Sequence, residues 1–196
     1  MRKILIRLLI VALIVGIVVT IFNFSGEKNR YVKSRDGMLN LVRDLPDMKK
    51  SANLLSNLKR NLDGFCDYLV KKYKNDKTKS SMVKLLRKRF KPQNIQESAS
   101  DSDYTSFSVN KGESIHFCLR SKDDKQKLHD MNTLMFVALH ELSHVMSVSY
   151  GHNKEFTQNV KFLLREAIQN GIYRHEDYSQ NNKKFCGMDI SASPIG

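Results

Sequence analysis

Two histidines four residues apart, with a glutamate between them, constrain this chain more than any other feature. The stretch reads His140-Glu141-Leu142-Ser143-His144 and is followed after a short break by Gly151-His152. On a helix, residues four apart share one face and lie about 6 Å apart along the axis, at ~1.5 Å per residue. His140 and His144 can then aim two imidazoles at one ion, with Glu141 beside them and within reach of a water on it. Neutral imidazoles bind zinc without cancelling its charge, and a carboxylate held just off the metal can accept the proton of that water. A third ligand has to complete the set, and His152 is the nearest in sequence. Glu155 and Glu166 are alternatives, because a downstream glutamate often fills this role. The competing explanation is a pair of core histidines on a buried helix. A chance match to the five-residue pattern in a chain of this composition is below about one in a hundred.

The surroundings fit a helix. Met131 to Leu139 is an apolar, helix-compatible run, with Asp130 or Asn132 available as N-cap. After it, Gly151 lets the chain turn and Asn153 can cap the next helix. Phe156, Val160, Leu163, Leu164, Ala167 and Ile168 give that helix a buried stripe, and Gly171 can end it. Upstream, Met48, Ala52, Leu55, Leu58, Leu62, Phe65 and Leu69 recur at three- and four-residue steps. They predict one long amphipathic helix from about Pro46 to Tyr73, its lysines forming a solvated face. A short basic helix over Ser81 to Phe90 ends at Pro92, and Asn94 to Asp103 reads as a polar loop. Tyr104–Val109 and Ser114–Leu119 alternate apolar and polar residues around Asn110-Lys111-Gly112-Glu113, which is the pattern of a β-hairpin. His116 on its second strand reads as a cross-strand packing residue.

Ile4 to Phe24 is almost free of polar residues, Arg7, Thr20 and Asn23 excepted, and is close to the ~20 apolar residues that a membrane-crossing helix requires. A cleaved signal peptide is the weaker reading, because no small-x-small cleavage site follows the apolar run. The division expected is therefore a membrane anchor over 1–25, a charged linker over 26–45 and a folded domain over 46–196. The localisation expected is a membrane, single-pass. Basic residues lie on both sides of the apolar run, so charge does not orient it.

The net charge is +13, from 33 Lys+Arg against 20 Asp+Glu. Such an excess suits an anionic partner, or simply a lysine-rich solvated surface. Lys84, Arg87, Lys88, Arg89 and Lys91 concentrate it on the short basic helix. No basic motif interleaved with aromatics supports a nucleic-acid module, so nucleic acid is a possible partner without a motif behind it. Cys66, Cys118 and Cys186 form no C-x-x-C metal pair. Their odd number leaves either reduced thiols or one bridge with a spare.

His140-Glu141-Leu142-Ser143-His144, then Gly151-His152-Asn153-Lys154-Glu155-Phe156, then Phe162-Leu163-Leu164 resemble the WLM/SprT-like zinc metallopeptidases. Those families carry H-E-L-x-H, a third histidine followed four residues later by an aromatic, and a leucine-rich helix behind it. The likeness covers roughly Asp130 to Tyr173, more weakly the preceding hairpin and Phe185-Cys186-Gly187-Met188. Similar membrane-anchored forms occur in large DNA viruses. The resemblance implies an α+β fold, in which the N-terminal transmembrane helix precedes a small zincin-like domain, mainly helical with a short antiparallel β-hairpin. It implies Zn2+ on His140, His144 and His152, with Glu141 as general base in the hydrolysis of peptide bonds in a protein substrate. It also implies that an edge strand beside the metal holds the substrate backbone, a role for which the second hairpin strand is placed. For better-known members it implies DNA-dependent cleavage of proteins crosslinked to DNA. This chain has a longer break between His144 and His152, no proline before the third histidine and none of the DNA-binding tails. The alternative of a different class is a membrane-anchored structural or envelope protein with a structural zinc. Tyr150, Tyr173, His175 and Tyr178 are the residues from which an oxyanion donor could come.

Overall fold

The computed structural model describes residues 29–195 apart from 101 and 124, together with 10, 11, 13, 14 and 16. Seven strands and four helices follow in order: β1 (Asn29–Lys33), β2 (Leu39–Arg43), α1 (Met48–Lys72), α2 (Lys79–Arg89), β3 (Ile95–Glu97), β4 (Ser106–Val109), β5 (Ser114–Phe117), α3 (Met131–Met146), α4 (Lys154–Asn170), β6 (Lys183–Phe185) and β7 (Met188–Ile190). This is a mixed α/β arrangement, which corrects the expectation of a mainly helical domain with one antiparallel hairpin. Three small sheets are present: β1-β2, β3-β5-β4 and β6-β7. In the middle one β3 runs parallel to β5, with Ile95 opposite Ile115 and Glu97 opposite Phe117.

The expected transmembrane helix is also corrected. Among the described residues no helix is long and apolar enough to cross a membrane. Most of residues 4–24, on which that expectation fell, lie outside the described residues. The charged segment read as a linker instead carries the β1-β2 hairpin from residue 29 onward. Val42 and Asn40 of this hairpin are fully buried, so it packs as part of the domain.

The core forms where α1 crosses the central sheet and α3. Ala52, Leu55, Leu58, Leu62 and Leu69 are fully buried, as the three- and four-residue spacing requires. They meet Ile115 and Phe117 from the sheet and Leu134, Ala138, Leu139 and Leu142 from α3, all fully buried as well. Lys59 departs from the expected solvated face. It is 2% exposed, and burial lowers its ammonium pKa to about 8. A long aliphatic stem can cover apolar surface in this way.

The strand β3 lay hidden in a stretch that reads as a polar loop, because its buried face carries Glu97. That carboxylate accepts from Arg120 Nε at 3.0 Å and from the Arg43 amide at 2.9 Å. Arg120 also donates to Asp47 at 2.8 Å and to the Ser51 hydroxyl. The guanidinium thus ties β2, α1 and β3 to the end of β5. A disulfide joins Cys118 to Cys186 across 68 residues and fastens the C-terminal hairpin to the same place. Cys66 is a buried free thiol, so one bridge with a spare is the pattern found.

Removing one partner of a buried, hydrogen-bonded charge pair strands the other in a dry site. Glu97→Ala is therefore expected to destabilise the chain by about 3–5 kcal/mol, read as a fall in the urea midpoint at unchanged slope. A loss below about 1 kcal/mol would show that Asp47 alone satisfies Arg120.

Candidate metal centre

The helix α3 begins where Asp130 accepts a hydrogen bond from the Thr133 amide at 2.9 Å, the first of the two N-caps considered. Its far end is capped from outside. Arg89 of α2 donates to the carbonyls of Val145 and Ser147, both at 2.9 Å. A cation at a helix C-terminus satisfies orphan carbonyls and opposes the negative pole of the helix. Part of the basic patch on α2 is thereby accounted for, and Arg87 pairs with Asp63 and Asp67 of α1.

Between these caps the four-residue spacing places His140 and His144 one above the other. Gly151 then adopts a left-handed φ of +78°, and Asn153 opens α4 by accepting from the Phe156 amide at 3.1 Å. The turn swings His152 back over the other two rings. Its Nε2 lies 3.1 Å from that of His144 and 3.2 Å from that of His140. Two ligands at ~2.05 Å from a tetrahedral zinc stand about 3.3 Å apart. His152 Nε2 is therefore spaced from each of the other two nitrogens as two ligands of one zinc ion would be, all three lie within 4.8 Å of one another, and the donor set suits that ion. His140 and His144 are half-buried and His152 is exposed, so one side of the cluster is open.

One ring supports all three. Phe156, 5% exposed, packs against His140 at 4.9 Å, His144 at 4.2 Å and His152 at 4.6 Å between ring centroids. The loop that carries His152 is held by Glu155, which accepts from the Val148 amide at 2.7 Å, the Ser149 amide at 3.0 Å and the Ser149 hydroxyl. Those bonds occupy both oxygens of Glu155, one of the two alternative ligands. Glu166, the other, points away, accepting from Tyr73 and Lys72 at 2.7 Å each.

Glu141 is 4% exposed beside the cluster. Burial pushes its carboxyl up to about 7, with a hydrogen bond from Ser108 opposing the rise. Its Oε2 has no protein partner among the described residues. A cleft of about 260 Å³ opens onto the site. It is lined by His140, Glu141, His144 and His152, by Ser106 to Ser108 of β4, and by Lys111 and Tyr150. In the sheet order β3-β5-β4 the edge strand is β4. The expectation that the second hairpin strand flanks the site is corrected: β5 is central and pairs on both sides. His116 of β5 stacks on Phe107 at 4.4 Å, the packing role expected of it. Of the four residues considered as oxyanion donors, Tyr150 alone lines the cleft, while Tyr173 and Tyr178 are buried against Phe136.

Residues 43–194 match the WLM domain, and the chain belongs to that family. The match spans every residue of the cluster and the sheet beside it, and membership supports a protease-like, zinc-dependent character at the level of the family. An uncharacterised protein of Acanthamoeba polyphaga mimivirus is 34% identical over 185 residues, covering 92% of this chain and 93% of that protein. An uncharacterised protein of invertebrate iridescent virus 3 is 44% identical over 86 residues, covering 44% of this chain and 52% of its own length. The crystal structure of Wss1 from Saccharomyces cerevisiae aligns with a TM-score of 0.45 at 21% identity, covering 74% of this chain and 98% of that one.

Burial, with the neighbouring imidazoles adding to it, lowers the pKa of His140 to about 4. Burial lowers that of His144 to about 4 as well. In the metal-free protein both rings should stay neutral at pH 5.5, as imidazole NMR titration would read. In the unfolded chain an ordinary imidazole takes up its proton near 6.5. The unfolded state then binds more protons, so stability of the chelated protein falls as pH drops from 6.5 toward 4. Phe156→Leu should keep the fold and weaken metal affinity about 10–100-fold, the size seen when a ligand's orienting partner is lost. Unchanged affinity in a metal-competition titration would show that the rings hold themselves.

Proposed function

We propose that this chain is a zinc-dependent metallopeptidase that hydrolyses peptide bonds in protein substrates. The observation that carries the reading is the convergence of three imidazole Nε2 atoms beside a buried, singly supported carboxylate at the floor of an open cleft. In this reading His140, His144 and His152 are the metal ligands and Glu141 is the general base. A structural zinc site is closed by four protein ligands, whereas among the described residues this cluster has three. Zinc, when bound, supplies the Lewis acidity that makes a water nucleophilic at neutral pH and polarises a carbonyl.

The chain's own residues do the rest. The buried carboxylate of Glu141 holds a proton less tightly than solvent-exposed bases only when charge nearby favours its ionised form, and a cation among the three imidazoles provides that charge. Ionised, it takes a proton from water in the cleft and returns it to the departing amine. Ser108 of β4 supports the ionised form of that carboxylate by a hydrogen bond. The free edge of β4 presents backbone donors and acceptors next to the cluster. An extended substrate segment pairing with it would lay a peptide bond across the metal.

Glu141→Gln should retain one zinc per chain by elemental analysis and lose peptide hydrolysis by a factor of about 10²–10⁴. A glutamine variant with full activity would remove the general-base role. A wild-type protein that binds zinc yet cleaves no unfolded protein, with or without chelator, would sink the peptidase reading itself.

A further inference from the structure

A second group of ligand-type side chains lies at the opposite end of α3. The Arg120–Leu128 bridge closes the loop between β5 and α3, and the His129 amide donates to the Leu119 carbonyl at 2.9 Å. Those bonds set His129 beside Cys118. The β6-β7 hairpin brings in Cys186 through a two-residue turn, with Cys186 at φ +51° and Gly187 at φ +85°. Such a turn favours Asn-Gly, and a cysteine held in the left-handed region costs about 1–2 kcal/mol. The residue there is thus chosen for where its sulfur goes. Cys186 Sγ lies 3.4 Å from His129 Nε2, and the ligand atoms of Cys118, His129 and Cys186 all fall within 4.8 Å of one another.

Both sulfurs also face the Arg120 carbonyl oxygen, at 3.1 and 3.2 Å. In this structure the two sulfurs are joined as the disulfide; once it is reduced, two thiolates held against the negative end of that carbonyl dipole need a cation between them. Without one, the pair stays protonated or closes as the disulfide. Two sulfurs and one imidazole form a soft donor set, unlike the three imidazoles of the first centre. A cavity of about 220 Å³ lined by Cys118, Arg120 and Lys122 gives a small thiol or disulfide a route to Cys118.

We propose that Cys118, Cys186 and His129 form a second binding site, for a soft divalent cation, which the Cys118–Cys186 disulfide closes. Loading releases two protons, one from each thiol, as the ion enters. Unloading requires a small-molecule disulfide. One cysteine thiolate attacks it, breaking its S–S bond and expelling one thiol. The second cysteine thiolate then attacks the mixed disulfide, forming the Cys118–Cys186 bond and expelling the other thiol. Two electrons pass to the small disulfide, and the cation leaves a site in which His129 is its one remaining donor.

Cobalt(II) tests this on the full chain, reduced with a phosphine under anaerobic conditions. Thiolate-to-cobalt charge transfer gives an intense near-ultraviolet band that three imidazoles cannot produce, so the result is independent of the His140 centre. The expected outcome is a band that grows with added cobalt and saturates. Oxidised glutathione should abolish it, while thiols titratable in denaturant fall from three to one. Cys66→Ser should keep the band, and His129→Asn should weaken cobalt binding at least about tenfold while the disulfide still forms. Both variants leave the two sulfurs in place, and far-ultraviolet circular dichroism checks that they are folded. A reduced, folded chain without the band would overturn the proposal, as would a band that disappears in Cys66→Ser or binding that ignores His129→Asn.

Discussion

The whole metal centre rests on the packing of one phenyl ring under three imidazoles. Phe156 belongs to α4, His140 and His144 to α3, and His152 to the turn between them. Each imidazole is carried by its own stretch of backbone, and all three rings pack against Phe156, His144 stacked on it and His140 and His152 edge-on. Apolar burial and ligand orientation are here the same interaction, so the site cannot loosen without the core loosening too.

Around that contact the rest of the structure acts as a frame. Arg89 closes the end of α3 from one side, and Glu155 gathers the loop amides on the other. The central sheet brings an open edge against the cleft, and Arg120 with Glu97 holds that sheet to α1. The charged residues that do this work are paired inside the fold. The pairs of Arg87, Arg120 and Lys72 with carboxylates cancel charge for charge, so the net excess of +13 stays with the other basic residues.

Local periodicity made much of this legible. The stripe of α1, the caps at Asp130 and Asn153, the left-handed Gly151 and Gly171, and the hairpin through Gly112 are all written within a few residues of where they act. Spacing alone put His140 and His144 on one helix face and left His152, Glu155 and Glu166 open as the third member. Long-range pairings were not legible. β3 is three residues long, and its inward Glu97 is satisfied by Arg120 and by the Arg43 amide 54 residues away, so it reads as loop. The order β3-β5-β4 depends on that strand. Without it, the second hairpin strand looks like the edge and the wrong element is assigned to the substrate. Glu155 looked like a ligand because nothing in the sequence says that its oxygens are taken by the amides of Val148 and Ser149. The N-terminal apolar run shows the opposite limit, since hydropathy alone gives a length and no partner for it.

His140, His144 and His152 lie within one short stretch, and the β4-β5 hairpin beside them is local too, with Val109 opposite Ser114, whereas β3 is tied to the rest by contacts reaching across 54 to 68 residues. Loop-closure entropy separates these two parts in folding time, because neighbours in sequence meet long before distant segments do. A nascent or partly opened chain thus forms the imidazole cluster and the hairpin at the cleft before β3 joins them to complete the sheet.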